Sequence, residues 1–232
     1  MIDLIAFDAD DTLWHNERMF HATESQFTEM LAAYHPAAWV SERLLATETK
    51  NLGHFGYGIK GFILSMIETA IELTETRITG AEVQKIIDRG HEMLRHPVEL
   101  LDGVRETIES LNGRYRLMLL TKGDLFDQES KLARSGLGEF FDAVEIVSAK
   151  NAATYRTIMN RHGVAPERFV MVGNSLRSDV LPALEAGARA VHIPYELTWA
   201  HERIDDDALA GKDYVTLEKI TALPDWLRPA TP

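Results

Sequence analysis

The sequence predicts an α/β fold: a three-layer core on a parallel β-sheet, interrupted by an all-helical insertion. Three observations carry this expectation. Short runs that are apolar on successive residues alternate with stretches of helical periodicity. Four polar positions, Asp8, Thr121, Lys150 and Asn174, each follow one of those runs. The interval between the first two is far longer than the others.

Residues 3–7 read as the first strand, ending at Asp8. Similar runs stand at Tyr115–Leu120, Ala143–Val147, Phe169–Val172 and Ala188–Ile193. Continuous rather than alternating apolarity is expected of parallel strands covered on both faces. Tyr155, Ile158, Met159 and His162 follow the i, i+3, i+4, i+7 rule of a helix, and Gly163 stands where it would stop. Asp179 to Gly187 reads as a helix with Pro182 in its first turn and a glycine stop. Strand–helix alternation of this kind gives a doubly wound, Rossmann-like sheet.

From His15 to Pro97 only helices are expected. Phe27, Met30, Leu31 and Tyr34 share one helical face, and so do Ile63, Met66, Ile67, Ala70 and Ile71. Val83, Ile86 and Ile87 form a third stripe, preceded by Thr79-Gly80-Ala81-Glu82, a capping-box pattern. The intervals agree. Positions 121 to 150 and 150 to 174 are 29 and 24 residues apart, near a βαβ step of roughly 30, whereas 8 to 121 spans 113. The expected division is a core of residues 1–15 and 98–232 with a helical domain at 16–97. The acidic run Asp205–Asp207 reads as a solvated loop.

Composition narrows the function. The chain has 232 residues, 45% of them hydrophobic, enough for a sizeable core. With 24 basic and 36 acidic side chains its formal charge is −12, which disfavours nucleic acid as a partner. An anionic substrate would need a local positive feature. There is no cysteine, which excludes disulfides, thiolate metal sites and cysteine nucleophiles. No stretch of about 18 apolar residues suggests a membrane span. The N-terminus lacks a basic start and a signal-length apolar segment, so a cytoplasmic location is expected.

Ligands of open α/β sheets bind beyond the carboxyl ends of the strands, where all four polar positions fall. The first lies in Phe7-Asp8-Ala9-Asp10-Asp11-Thr12-Leu13-Trp14. An isolated Asp-x-Asp is often a turn or a helix cap. Here the apolar strand before it and the Asp-Thr-Leu tail point elsewhere. The others lie in Leu119-Leu120-Thr121-Lys122-Gly123, in Val147-Ser148-Ala149-Lys150, and in Gly173-Asn174-Ser175-Leu176-Arg177-Ser178-Asp179. Alone, Thr121 is an ordinary strand-end threonine and Lys150 an ordinary surface lysine.

Taken in order, the four segments resemble motifs I to IV of the haloacid dehalogenase-like superfamily. The resemblance implies that Asp8 is a nucleophile forming an aspartyl-phosphate. It implies that Asp10 is the general acid and base, and that its backbone carbonyl ligates a metal. Thr121 would bind the transferring phosphoryl group, and Lys150 would neutralise the nucleophile and phosphoryl oxygens. Asp8, Asp10, Asn174 and Asp179 would form the Mg²⁺ site. Asn174 departs from the pattern, which has an acid there. It keeps an oxygen ligand and loses its charge. Lys122 and Asp11 receive no role.

The helical insertion occupies the family's C1 cap position. Such a cap can close over the site. The implied activity is Mg²⁺-dependent hydrolysis of a small phosphorylated metabolite. A 2-haloacid dehalogenase and a phosphoryl mutase are the enzyme alternatives, and a weakened binding module is the non-enzyme one. Asp10 and Asp179 favour the phosphatase, because a halide leaving group needs neither proton donor nor metal. Tyr195 to His201 reads as a packed connecting segment, with lining of the pocket as its other reading. Neither the substrate nor the oligomeric state follows from the sequence.

Overall fold

The structure, a computed structural model, describes residues 2–204 and 206–228, without the side chains of Asp206 and Asp207. The expected solvated loop at Asp205–Asp207 therefore falls outside the described residues. The chain divides into two compact units. The first comprises residues 1–15, 98–122 and 128–232, and the second residues 16–97 and 123–127.

The first unit is built on strands β1 (Leu4–Phe7), β2 (Arg116–Lys122), β3 (Ala143–Val147), β4 (Phe169–Gly173), β5 (Arg189–His192) and β6 (Val215–Thr216). All pairings are parallel, in the order β3-β2-β1-β4-β5-β6. Phe7 pairs with Leu119 on one side and Val172 on the other. Successive residues of each strand face opposite layers. Ile5, Phe7, Leu117, Leu119, Val170, Val172 and Val191 pack on helices α5 (Val104–Leu111) and α9 (Leu223–Trp226). Leu4, Ala6, Met118, Leu120, Phe169, Met171 and Ala190 pack on α7 (Ala152–Arg161) and α8 (Leu181–Glu185). This two-sided burial makes the strand runs continuously apolar. It is the expected α/β core.

Three details differ from the expectation. The second strand runs on to Lys122, so Thr121 is a strand residue rather than the residue after it. Strand β6 was not foreseen, because two residues give no readable pattern. The expected helix from Asp179 begins instead as a π-turn at Leu176–Val180 and continues as α8, with Pro182 in its first turn and Gly187 at φ 86°.

The second unit consists of α1 (Glu17–Met30), α2 (Ala37–Phe55), α3 (Ile59–Leu73) and α4 (Gly80–Arg95), plus the start of α6 (Leu125–Ser135). Its core gathers Phe27, Leu31, Val40, Leu44, Ile63, Met66, Ala70 and Ile86. Thr79 and Glu82 form the expected capping box at α4, side chain to backbone in both directions. Gly90 lets α4 approach α3 closely, since a Cβ there would lie 2.8 Å from Ile63 Cγ1. Helix α2 escaped the sequence pattern because half of its buried stripe is polar: Val40, Leu44, Thr47 and Asn51. Asn51 is satisfied there by Ser65 and Glu68. Ile71, expected on the buried stripe of α3, is 41% exposed. It lies about 100° around the helix from buried Ala70.

The expected division gave residues 123–127 to the core. They pack with the helical unit instead. Lys60 on α3 pairs with both Asp124 carboxylate oxygens at 3.0 Å and lies over the Phe126 ring. Gly58, just before α3, stands at φ 110°, a backbone conformation that side-chain-bearing residues rarely adopt. Among the described residues no helix is long and apolar enough to cross a membrane.

Candidate active site

The carboxyl ends of β1, β2 and β4 meet where the strand order reverses, the usual ligand crevice of such sheets. Asp8 directly follows β1, and its N–H donates to Val172 O at 2.9 Å. Its side chain is 11% exposed. Lys150, beyond β3, donates to Asp8 Oδ1 at 2.5 Å and to Asp179 Oδ1 at 2.7 Å. The remaining Asp179 oxygen, Oδ2, accepts from Ser175 N–H at 2.9 Å. The Lys150 and Asp179 side chains are each 1% exposed. One buried ammonium thus joins two buried carboxylates.

Burial, and then these charges, set the titration of the nucleophile candidate. Burial pushes the Asp8 carboxyl up to about 7. Asp179 and Asp10 push the same way, and Lys150 opposes them. Burial alone would lower the Lys150 ammonium, but Asp179 and Asp8 outweigh it and raise it above its ordinary value. Lys150 is therefore a permanent cation at neutral pH.

Thr12 ties Asp8 to Asn174. Its hydroxyl lies 3.3 Å from Asp8 Oδ2 and 3.2 Å from Asn174 Oδ1, and accepts from Asn174 N–H at 3.0 Å. One hydroxyl proton serves one of the two oxygens at a time. Beneath them Gly173 has no room for a side chain: a Cβ would sit 2.2 Å from Asp179 Oδ2. Gly173→Ala should therefore displace Asp179 and destabilise the protein by about 1–3 kcal/mol, an overpacking effect readable by urea unfolding.

Asp10 has a different environment. It belongs to the tight turn closed by Asp11 N–H to Trp14 O, with Asp11 at φ 60°, a conformation aspartate tolerates. Its carboxylate accepts from Trp14 Nε1 at 2.7 Å, Gln128 Nε2 at 2.8 Å and Lys131 Nζ at 3.0 Å. Both oxygens are thus engaged away from the Asp8–Lys150–Asp179 group.

Thr121 lies two residues past Leu119, the partner of Phe7, and is 1% exposed. Its hydroxyl donates to Lys122 O at 3.4 Å, a long bond that a phosphoryl oxygen can replace. Lys122 turns to a separate cluster. It donates to Ser178 Oγ at 2.8 Å and pairs with Glu202, which also accepts from Ser175 Oγ at 2.5 Å and Ser178 Oγ at 2.6 Å.

Burial pushes the Glu202 carboxyl up, but the Lys122 ammonium and these hydrogen bonds outweigh it and hold it at about 2. A depressed carboxyl stabilises the fold above its unfolded value of 4.5, and the contribution is lost as pH falls toward 2. Glu202→Gln should remove about 3 kcal/mol of that acid-side dependence. Urea unfolding at stepped pH measures it.

The structure thus brings Asp8, Lys150, Asn174 and Asp179 together, with Thr121 at the adjacent strand end. It turns the Asp10 carboxylate aside. Sequence reasoning missed Gln128, Lys131 and Glu202, which are distant along the chain and lie outside any strand-end pattern. The Tyr195–His201 segment packs within its own unit through Tyr195 Oη to His15 Nδ1 at 2.7 Å and the Trp199–His201 ring contact.

The donor set suits a hard divalent cation. Asp8, Asn174 and Asp179 carry the oxygen donors such an ion prefers, and the chain has no cysteine. Among the described residues no three acidic or histidine side chains form a metal-binding group. Asp179 accepts one hydrogen bond on each oxygen, from Lys150 and Ser175, as Asp8 does from Lys150 and Thr12, which leaves each oxygen a lone pair for a cation.

A family profile described as haloacid dehalogenase-like hydrolase matches residues 2–187. A solved haloacid dehalogenase-like family hydrolase from Xanthomonas campestris is 41% identical with a TM-score of 0.87, over 98% of this chain and 91% of that one. Glyceraldehyde 3-phosphate phosphatase from Methanothermobacter thermautotrophicus is 36% identical over 118 residues, 49% of this chain and 51% of its own. N-acylneuraminate-9-phosphatase from Mus musculus is 30% identical over 133 residues, 53% and 52% respectively. The chain spans about half the length of these two curated relatives.

Proposed function

The chain belongs to the haloacid dehalogenase-like hydrolases, and we propose that it is a phosphatase that hydrolyses a small phosphorylated metabolite through Asp8. The observation that carries this reading is the Asp8–Lys150–Asp179 group. It holds a carboxylate at a strand end beside a buried permanent cation. The two curated relatives are named as phosphatases, which supports the same choice over a dehalogenase.

In the first step an Asp8 oxygen attacks phosphorus. The ester P–O bond breaks, and the leaving oxygen takes a proton from Asp10. In the second step Asp10 takes a proton from water, the water oxygen attacks phosphorus, and the P–O bond to Asp8 breaks. Phosphate leaves and the Asp8 carboxylate is restored. Lys150 stays charged beside the reacting oxygens throughout. Thr121 offers its hydroxyl to a phosphoryl oxygen. Asp10 must surrender a bond from Trp14, Gln128 or Lys131 before that oxygen can carry a proton to the leaving group.

Asp8 and Asp179 against Lys150 leave a net −1, so a dianionic phosphate would meet repulsion. Mg²⁺ held by Asp8, Asn174, Asp179 and the Asp10 carbonyl would reverse that sign and act as a Lewis acid at the phosphoryl group. Hydrolysis of p-nitrophenyl phosphate with Mg²⁺, abolished by EDTA, is the expected result. Chloride release from 2-chloropropionate without metal would instead establish the dehalogenase. Isomerisation of a sugar phosphate without phosphate release would establish the mutase.

A further inference from the structure

Glu202 lies in the segment after β5, 24 residues beyond Ser178, yet it joins two ends of the site. Its Oε1 pairs with Lys122, the residue next to Thr121 at the end of β2. Its Oε2 accepts from both Ser175 and Ser178, in the turn that carries Asp179. Ser175 is the pivot. Its Oγ also caps the π-turn by accepting from Ser178 N–H at 3.0 Å, and its own N–H holds Asp179 Oδ2. A continuous path therefore runs from Glu202 through Ser175 and Asp179 to Lys150 and Asp8.

The Glu202 and Lys122 side chains are only 12% and 17% exposed. An apolar pair of similar size would stabilise a fold at least as well as a buried ion pair. Stability alone is a weak reason for charges here, since apolar replacement of such a pair is often neutral, and single-turn π elements are frequent at functional sites. Lys122 is committed to this cluster, which leaves Lys150 as the ammonium bonded to Asp8.

We propose that Glu202 is a positioning residue for phosphoryl transfer: its carboxylate locks the end of β2 to the Ser175–Asp179 turn, fixing Thr121 and the Lys150 clamp in register. The inference rests on the phosphatase reading. It adds a residue that touches neither the nucleophile nor the phosphoryl group.

The test compares wild type, Glu202→Gln and Lys122→Met/Glu202→Gln, with p-nitrophenyl phosphate at saturating Mg²⁺ and thermal melting in parallel. Glu202→Gln should lower kcat roughly tenfold, as lost outer contacts do, with KM within about twofold. Its melting temperature should also fall, because the partly buried Lys122 ammonium loses the carboxylate it pairs with. The double variant removes both charges, so its melting temperature should recover while kcat stays low. It also decides the matter if the single variant does not fold. Recovery of kcat together with stability would reduce Glu202 to a structural residue and overturn the proposal, as would a kcat unchanged in both variants. A wild type without turnover would remove the phosphatase reading itself, and this inference with it, a result distinct from active wild type with indifferent variants.

Discussion

Asp8→Asn should lower kcat for phosphate-ester hydrolysis by about 10⁴ or more and leave the fold intact. The amide is nearly isosteric with the carboxylate but is not a nucleophile, so the covalent route closes. Lys150 can still donate to the amide oxygen, and Asp179 still balances Lys150, so no buried charge is stranded. The same change should raise stability at pH 8. Burial pushes the Asp8 carboxyl up to about 7, so ionising it in the folded state costs free energy that the unfolded chain does not bear. Folded protein therefore binds more protons than unfolded between about 4 and 7, and stability falls as pH rises through that window. Asn174→Asp is the useful contrast. It should retain turnover and tighten Mg²⁺ binding, because it restores the charged ligand. Urea unfolding and initial rates on the same preparations read both effects. Equal pH dependence in wild type and Asp8→Asn would contradict the assignment of that titration to Asp8.

Lys150→Met is the second large effect. The methionine fills similar volume but leaves Asp8 and Asp179 buried at one another's edge without their shared cation. Removing one partner of a buried ionic group costs about 3–5 kcal/mol. The loss should be greatest at pH 8 and smaller at pH 5, where one carboxyl takes up a proton. Activity should fall by about 10³ or more, since a preorganised charge at the reacting oxygens is lost. Lys150→Arg should not rescue it. A planar fork cannot replace a compact ammonium held between two carboxylate oxygens with 1% exposure. A loss of activity with unchanged stability would contradict the buried-triad account.

The fold was legible where burial is two-sided. Strands β1, β2, β4 and β5 announce themselves because both faces are largely covered, edge strand β3 is readable from its Val and Ile residues although Val144 is 41% exposed, and the 113-residue interval marks the helical unit. Helix α2 was silent because Thr47 and Asn51 occupy its buried stripe, Thr47 satisfied by Arg43 O one turn back and Asn51 by Ser65 and Glu68 of α3. The strand-end residues were readable because topology alone converges them. The supports were not. Gln128 and Lys131 reach Asp10 from 118 and 121 residues away, and Glu202 reaches Lys122 across 80. No local pattern encodes such pairings. Residues 123–127 fall within the expected core, whereas Asp124 and Phe126 partner Lys60 of the helical unit, 64 and more residues away, a pairing no local pattern encodes.

The most direct test of the central claim uses Asp10→Asn and p-nitrophenyl phosphate in a rapid-quench experiment. The phenolate leaves without needing a proton, whereas the second step needs Asp10 to take one from water. The variant should therefore release one equivalent of p-nitrophenol in a burst, and acid-quenched protein should carry phosphate on the peptide containing Asp8. Phosphate trapped on another residue, or steady hydrolysis by Asp10→Asn at the wild-type rate with no burst and no phosphorylated Asp8, would contradict a covalent route through Asp8.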